Sequence, residues 1–331
     1  MRDLVTLPKA ELHLHLEGSI RVSTVREFAD RRGIPPPTAL GADDVWRFDG
    51  AEGFIDQYGE VCDLLFEMDD FRRIGAELCE DLAAQGVRYA EVVFSPAQHA
   101  GRLGDWYGPI EAVLDGLAAG RRDHGTIVRL EPDFIRDFDE ARARGTLDVA
   151  LRYAGRGVVA VNSAGSERFP AGRFAHLVER AVAAGLPSVP HAGEWAGPEN
   201  IWETLETMMP SRIGHGVAAI RDPELVRHLA AIAIPLEISP TSNVATGVFA
   251  SLEDHPFPAL REAGVVVTLN SDDPAMFGAW LSDEYRTARE VFGYDDEDLA
   301  DIARTGVRSS FAEQDVKAAI EHDIDAWLAD E

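Results

Sequence analysis

Cysteine and lysine are almost missing from this chain. The two cysteines, Cys62 and Cys79, fall in segments of helical character, away from any CxxC or Cys/His pattern, which excludes a disulfide framework and a thiolate metal centre. The two lysines, Lys9 and Lys317, leave arginine to carry nearly all of the positive charge. That charge is itself sparse, since 31 basic against 58 acidic residues give a formal net charge of −27. A field of that sign repels phosphates, so nucleic acid and anionic membrane surfaces are excluded as partners. No apolar run is long enough to cross a bilayer, and Met1 to Ala10 lacks the basic-then-apolar pattern of a signal sequence. A cytoplasmic protein is expected. No low-complexity linker divides the chain, and the proline run Pro35 to Pro37 lies too near the start to separate two domains.

What the chain does have is a repeated unit: a short β-branched run ending in polar or glycine residues, followed by an Ala/Leu/Glu/Arg-rich stretch of helical spacing. Strands are predicted at Glu11 to His15, Val87 to Phe94, Ile127 to Pro132, Val158 to Asn162, Pro187 to His191, Arg212 to His215, Pro235 to Ser239 and Val265 to Asn270. Helices between them include Phe71 to Gln85, Ile110 to Arg122, Arg173 to Ala184, Pro223 to Ala231 and Asp283 to Phe292. Alternation of this kind makes a parallel sheet with helical crossovers, and eight units favour closure. The expected fold is α/β, a (β/α)8 TIM barrel forming one domain over residues 1–331. Extra helices between Ser23 and Gln85 would cover the barrel mouth, and Asp295 to Ala329 would pack outside.

Polar residues gather where predicted strands end, the face on which barrel active sites are built. In Glu11-Leu-His-Leu-His-Leu-Glu17-Gly18-Ser19, His13 and His15 alternate with leucines at strand period and so share the inward side. Alone, such a pair is as ordinary as any surface strand. His191 follows Pro190, however, His215 lies between Gly214 and Gly216, and Asn270-Ser-Asp272-Asp273-Pro274 follows the last strand. Four histidines and an aspartate on strands one, one, five, six and eight argue for a metal site with an open position for water, and hence for hydrolysis near neutral pH. Glu194, three residues beyond His191, reaches the same cavity as a proton donor, although a charge at a helix N-terminus is the plainer reading of it.

Five blocks carry a family resemblance: Pro8-Lys-Ala-Glu-Leu-His-Leu-His-Leu-Glu-Gly-Ser19, His191-Ala-Gly-Glu194, Arg212-Ile-Gly-His-Gly216, Pro240-Thr-Ser-Asn243 and Ser271-Asp-Asp-Pro274. In this order they resemble the adenosine and adenine deaminases of the metal-dependent amidohydrolase superfamily. The resemblance implies one Zn2+ per chain on His13, His15, His191 and Asp272, and a purine small molecule as substrate. By it, Asp272 also helps orient the attacking water, His215 orients or deprotonates it, and Glu194 shares its proton with purine N1. His15, Glu17, Gly165 and Asp273 face the substrate, Asp273 at N7, the Gly165 amide at N3 and Glu17 near the ribose 5′-hydroxyl. The implied reaction converts a 6-aminopurine to its 6-oxo form with release of ammonia.

The sequence departs from the family where the substrate is chosen. Glu17 stands where many adenosine deaminases have Asp, Asn162-Ser-Ala-Gly165-Ser-Glu167 replaces the usual Asp-Leu-x-Gly-x-Glu, and Ile238 precedes Ser239-Pro240 where Cys-Pro is usual. Adenosine, a 5′-modified adenosine such as aminodeoxyfutalosine, and free adenine all stay open as substrates. A different mononuclear amidohydrolase is the same-fold alternative. Binuclear members need a bridging lysine, and Lys9 and Lys317 both lie outside the relevant strands. A non-catalytic nucleoside binder would not need the full set of ligands and acids. Phe54, Tyr58, Phe66 and Met68, at helical spacing, read as core rather than as a substrate lid, and Trp195 carries no assignment.

Overall fold

The computed structural model describes residues 1–329. Its eight strands are β1 (Lys9–Glu11), β2 (Val87–Phe94), β3 (Ile127–Ile135), β4 (Val161–Ala164), β5 (Ser188–Ala192), β6 (Ile213–His215), β7 (Leu236–Ile238) and β8 (Val267–Leu269). They run parallel in chain order within one sheet, with helices between them, as a (β/α)8 TIM barrel. Nearly every strand residue is buried, as expected when helices cover the outside and side chains fill the inside.

Several edges differ from the sequence reading. β1 stops at Glu11, before the histidines expected within it, because Leu12 gives its backbone N–H to the Asn270 side chain (3.0 Å). The chain stays extended beyond that point, and single bridges join Leu14 to Asp272 and His15 to Val93. The His15 bridge prolongs the pairing with β2, and the Leu14 bridge draws the end of β8 onto β1: His15 N–H donates to Asp272 O (2.8 Å) and Asp272 N–H to His13 O (3.0 Å). Below them, Ser271 donates its N–H (2.8 Å) and its hydroxyl (2.7 Å) to the Glu11 carboxylate. β3 runs on to Ile135, where it pairs with Ala164, so β4 begins three residues later than expected and Val158 makes only isolated bridges.

The helices predicted before β2 divide into two groups. Gly50–Cys62 lies at the cavity over the strand ends, whereas Met68–Ala84 packs along Gly108–His124 in the outer layer and holds Val22–Arg32 through Glu77 to Thr24 and Asp70 to Arg32. The helix Asp296–Ser309 packs across β8 and β1 and so covers the seam, with the last helix, Gln314–Ala329, packed against it.

The barrel interior holds charge. Arg212 donates from Nη2 to Glu91 (2.5 Å) and Glu131 (3.0 Å), from Nε to Glu237, and from Nη1 to Ser309 O (3.0 Å), with all three carboxylates fully buried. One guanidinium thus faces three acids. Desolvation pushes Glu131 up to about 8 despite that cation, so part of the acidic charge is neutralised by protons. Arg212→Met would leave buried carboxylates without their cation. It is expected to lower unfolding free energy by about 3–5 kcal/mol, read from urea denaturation.

A second buried acid, Glu284, accepts from the Thr241 N–H (3.0 Å), and burial raises it from its ordinary 4.5 to about 8. The folded state keeps this proton while the unfolded chain releases it. The stability it contributes is therefore present at low pH and lost as pH rises from 4.5 to about 8. Glu284→Gln cannot titrate, so the variant should gain stability relative to the parent across that window. Urea midpoints at pH 5 and pH 8.5 measure the difference.

Candidate active site

The mouth of the barrel is built from residues with little conformational freedom. His215 and Asp272 sit at φ of 59° and 65°, left-handed values uncommon for non-glycine residues and costing about 1–3 kcal/mol each. Each turns the chain sharply at a strand end and keeps its side chain over the barrel axis. Gly214 is demanded by crowding, since a Cβ there would lie 2.7 Å from His13 Cε1 and 3.2 Å from His191 Cγ. Gly18 serves Asp273 in the same way, for an added Cβ would fall 1.7 Å from the Asp273 Oδ1.

His13, His15, His191 and Asp272 present ligand atoms that all lie within 4.8 Å of one another. The Asp272 Oδ1 is 3.3 Å from Nε2 of both His13 and His15, and the Nε2 atoms of His15 and His191 are 3.2 Å apart. Supporting residues set the outer nitrogens. His13 Nδ1 meets Glu237 Oε2 at 3.1 Å, and His191 Nδ1 meets Asn162 Oδ1 at 2.9 Å, while the Asn162 amide donates to Glu131. With the protons held on Nδ1, the Nε2 lone pairs point inward, the arrangement in which imidazoles bind a borderline divalent metal. Burial lowers the affinity of His13 for a proton, but Asp272 and Glu237 outweigh it and raise its pKa to about 10. This pocket is electrostatically prepared for a positive charge. His191 is held well below the usual range by burial and by its neighbouring histidines, leaving its nitrogen free to act as a ligand.

His215 stands beside this cluster, with Nε2 3.5 Å from Glu194 Oε2 and 3.8 Å from Asp272 Oδ2. Its tautomer follows from a chain of bonds. Phe257 N–H donates to His255 Nδ1 (3.2 Å), so the His255 proton is on Nε2 and goes to Asn243 Oδ1 (3.2 Å). The Asn243 amide nitrogen then donates to His215 Nδ1 (3.2 Å), which leaves the His215 proton on Nε2, facing the site. Burial lowers His215 to about 3, so the ring is neutral. Glu194 is raised well above the carboxylate range by burial, then by Asp272 and Glu167, and is therefore protonated at neutral pH. Burial and the adjacent Asp272 do the same for Asp273.

These groups open onto a cavity of about 250 Å3, lined in part by Glu194, His215, Asp272, Asp273, Gly165 and Trp195. Glu167 shapes this wall by accepting the backbone N–H groups of Glu194 (3.2 Å), Trp195 (2.7 Å) and Ala196 (2.5 Å). Glu17, expected beside a sugar hydroxyl, lies behind the wall. It accepts from Tyr58 OH (3.0 Å), pairs with His99 Nε2 (2.7 Å) and is fully buried. Phe54 and Tyr58, read from spacing as core, line the cavity from the helix Gly50–Cys62, whereas Phe66 is exposed and Met68 packs on the core. Sequence reading missed Glu237, Asn162 and Asn243. A charged residue flanked by Leu236 and Ile238 on a short apolar strand was the available signal for Glu237, and Asn243 lay within a quoted block.

Among known proteins, the family model described as adenosine deaminase matches residues 8–327. An aminodeoxyfutalosine deaminase of Streptomyces coelicolor is 41% identical, the match covering 98% of this chain and 86% of that protein. The crystal structure of an adenine deaminase from Arthrobacter aurescens superposes with a TM-score of 0.91 at 31% identity, covering 98% of this chain and 99% of that one. That of an amidohydrolase from Burkholderia ambifaria with bound Zn gives 0.89 at 26% identity, over 99% and 94% of the two chains. With matches of this extent spanning the barrel and every block around its mouth, the chain belongs to the adenosine deaminase family and is a hydrolase acting on carbon–nitrogen bonds.

Proposed function

We propose that this protein is a zinc-dependent deaminase that hydrolyses the 6-amino group of an adenine-type nucleoside, adenosine or a 5′-modified adenosine, to the 6-oxo product and ammonia. The observation that carries this reading is the meeting of the His13, His15 and His191 imidazoles with the Asp272 carboxylate at a cavity that His15, His191, Asp272 and the buried carboxylic acid Glu194 line. His13, His15, His191 and Asp272 would hold one zinc ion. When bound, zinc supplies Lewis-acid activation of water near neutral pH.

The remaining work falls to the side chains. Protonated Glu194 delivers its proton to purine N1, which weakens the aromaticity of the N1=C6 bond as water adds at C6. His215, with its proton on Nε2, steadies the attacking oxygen as a donor and has no free nitrogen with which to take a proton from it. The water's proton passes to Asp272, whose Oδ2 is already oriented by the Ser242 hydroxyl (2.6 Å), and from there to the 6-amino nitrogen, which leaves as ammonia when the C6–N bond breaks, while the new C6 hydroxyl returns a proton to Glu194 and becomes the 6-oxo group. Protonated Asp273 can donate to N7, and the Gly165 amide, at φ 91° on the opposite wall, faces N3. The relatives named as aminodeoxyfutalosine and adenine deaminases support purine deamination in general.

Ammonia release with the accompanying ultraviolet shift, from adenine, adenosine, 2′-deoxyadenosine, methylthioadenosine, aminodeoxyfutalosine and AMP, tests the reading. Turnover of an adenine-type nucleoside is expected, and silence across the panel in zinc-loaded protein would reject it. Glu194→Gln should keep its zinc and lose about 10²–10⁴ of kcat, whereas Asp272→Ala should lose both zinc and turnover. A metal-free or fully active Glu194→Gln would remove the proton-donor role. Glu237→Gln, which weakens the support behind His13, is expected to lower zinc affinity by about 10- to 100-fold in a chelator competition.

A further inference from the structure

Away from the histidines, the cavity wall is contributed by the end of β3 and the loop after it, by Ser95 beyond β2, and by the helices Gly50–Cys62 and Pro96–Leu103, with Tyr58, Ser95, Gln98, Asp133 and Asp137 as its polar members. Tyr58 is committed to Glu17, and Asp137 accepts from the Ser166 N–H (2.8 Å). Asp133 differs from both. It lines the cavity, its residue is only 2% exposed, and its Oδ1 has no hydrogen-bond partner among the described residues. The same carboxyl is hydrogen-bonded by Ser95, and because an unpaired buried polar atom costs about 1–3 kcal/mol, its Oδ1 favours a ligand that brings a hydrogen-bonding group to this wall. Burial, and then the Glu17 charge, raise Asp133 well above the carboxylate range, so it is a neutral acid able both to donate and to accept.

The charge of the lining restricts the ligand further. Among the described residues that line the cavity, none is Lys or Arg, while Asp133, Asp137, Glu194, Asp272 and Asp273 all are present. Arg136, which stands between the two wall aspartates in sequence, turns its guanidinium back into the protein toward Ala164 O (3.4 Å) and His191 O (3.2 Å). A phosphate drawn into this cavity would lose water and meet carboxyl groups rather than a cation. A sugar hydroxyl, uncharged and able to both give and take a hydrogen bond, complements the free Asp133 oxygen.

We propose that Asp133 is a specificity-determining residue that hydrogen-bonds a hydroxyl of the N9 ribosyl group, so that the cavity selects unphosphorylated 6-aminopurine ribonucleosides over the free base and over nucleotides. This deepens the deaminase reading and rests on it. Free adenine leaves the Asp133 oxygen unpaired, and a nucleotide adds a phosphate that nothing in the lining neutralises.

The test uses zinc-loaded protein and kcat/KM for adenine, AMP, adenosine and its 2′-, 3′- and 5′-deoxy analogues, in the parent, Asp133→Asn and Asp133→Ala. In the parent, one deoxy analogue should fall about 10- to 100-fold below adenosine, with AMP and adenine at least as far below. Asp133→Ala should lose a similar factor on adenosine and almost nothing on that analogue or on adenine, and Asp133→Asn should recover part of it. Zinc content and circular dichroism identify a variant that fails to fold, in which case the parent's analogue series decides alone. Equal losses on every substrate, no dependence on any hydroxyl, or efficient AMP turnover would overturn the proposal while leaving a deaminase in place. Failure of the parent to act on any of these purines would instead overturn the underlying reading, and this one with it.

Discussion

Everything at the mouth of this barrel depends on how β8 is drawn against β1. The two strands do not close through a regular ladder. They close through Leu14 and Asp272, whose neighbouring backbone groups exchange hydrogen bonds with His13 and His15, while Asn270 and Ser271 fasten Leu12 and Glu11 below. The residues that complete the sheet are therefore the same residues that offer ligands. A shift of one residue along this seam would turn the Asp272 carboxylate off the barrel axis and separate it from both imidazoles. The left-handed backbone of Asp272 is the local strain that this double duty requires, and the seam bonds hold it in place.

Beneath the mouth, charge replaces some of the apolar filling usual in a barrel. Arg212 binds Glu91, Glu131 and Glu237 across strands two, three and seven, and two of these acids have a second function upward. Glu237 reaches His13, and Glu131 orders Asn162, which in turn orients His191. The interior network thus sets the tautomer and direction of two ligands from below, as supporting shells of metal sites do. A parallel chain from Phe257 through His255 and Asn243 sets His215 from the side. His13, His191 and His215 are each consequently defined by a partner remote in sequence.

Much of the architecture could be read from the chain because hydrophobic period and turn chemistry are local properties. β2 appears at its expected bounds, and the other strands are displaced by a few residues where pairing is decided by a neighbour: Asn270 cuts β1 short, and the pairing of Ile135 with Ala164 moves β4. His13, His15, His191, His215, Glu194, Asp272 and Asp273 stood out because a polar residue at the end of an apolar strand is conspicuous. Phe54 and Tyr58 did not, since a buried aromatic on an amphipathic helix has the same spacing whether it faces a core or a cavity. Glu17 shows a related limit of local reading. Its place in a known block suggests a sugar contact, but His99 and Tyr58 claim both of its oxygens first.

By itself the sequence determined the alternation of strand and helix, the acidic surface, and the set of side chains able to bind a metal and move a proton, because each follows from residue type and short-range spacing. Tertiary structure alone decided which of those side chains meet, which carboxyls keep their protons, and where the cavity wall is free to receive a ligand. The physical reason is that burial and pairing are long-range. Glu194 and Asp273 are neutral because of what surrounds them, Glu17 is occupied by partners 41 and 82 residues away, and Asp133 is left open because no neighbour reaches its Oδ1.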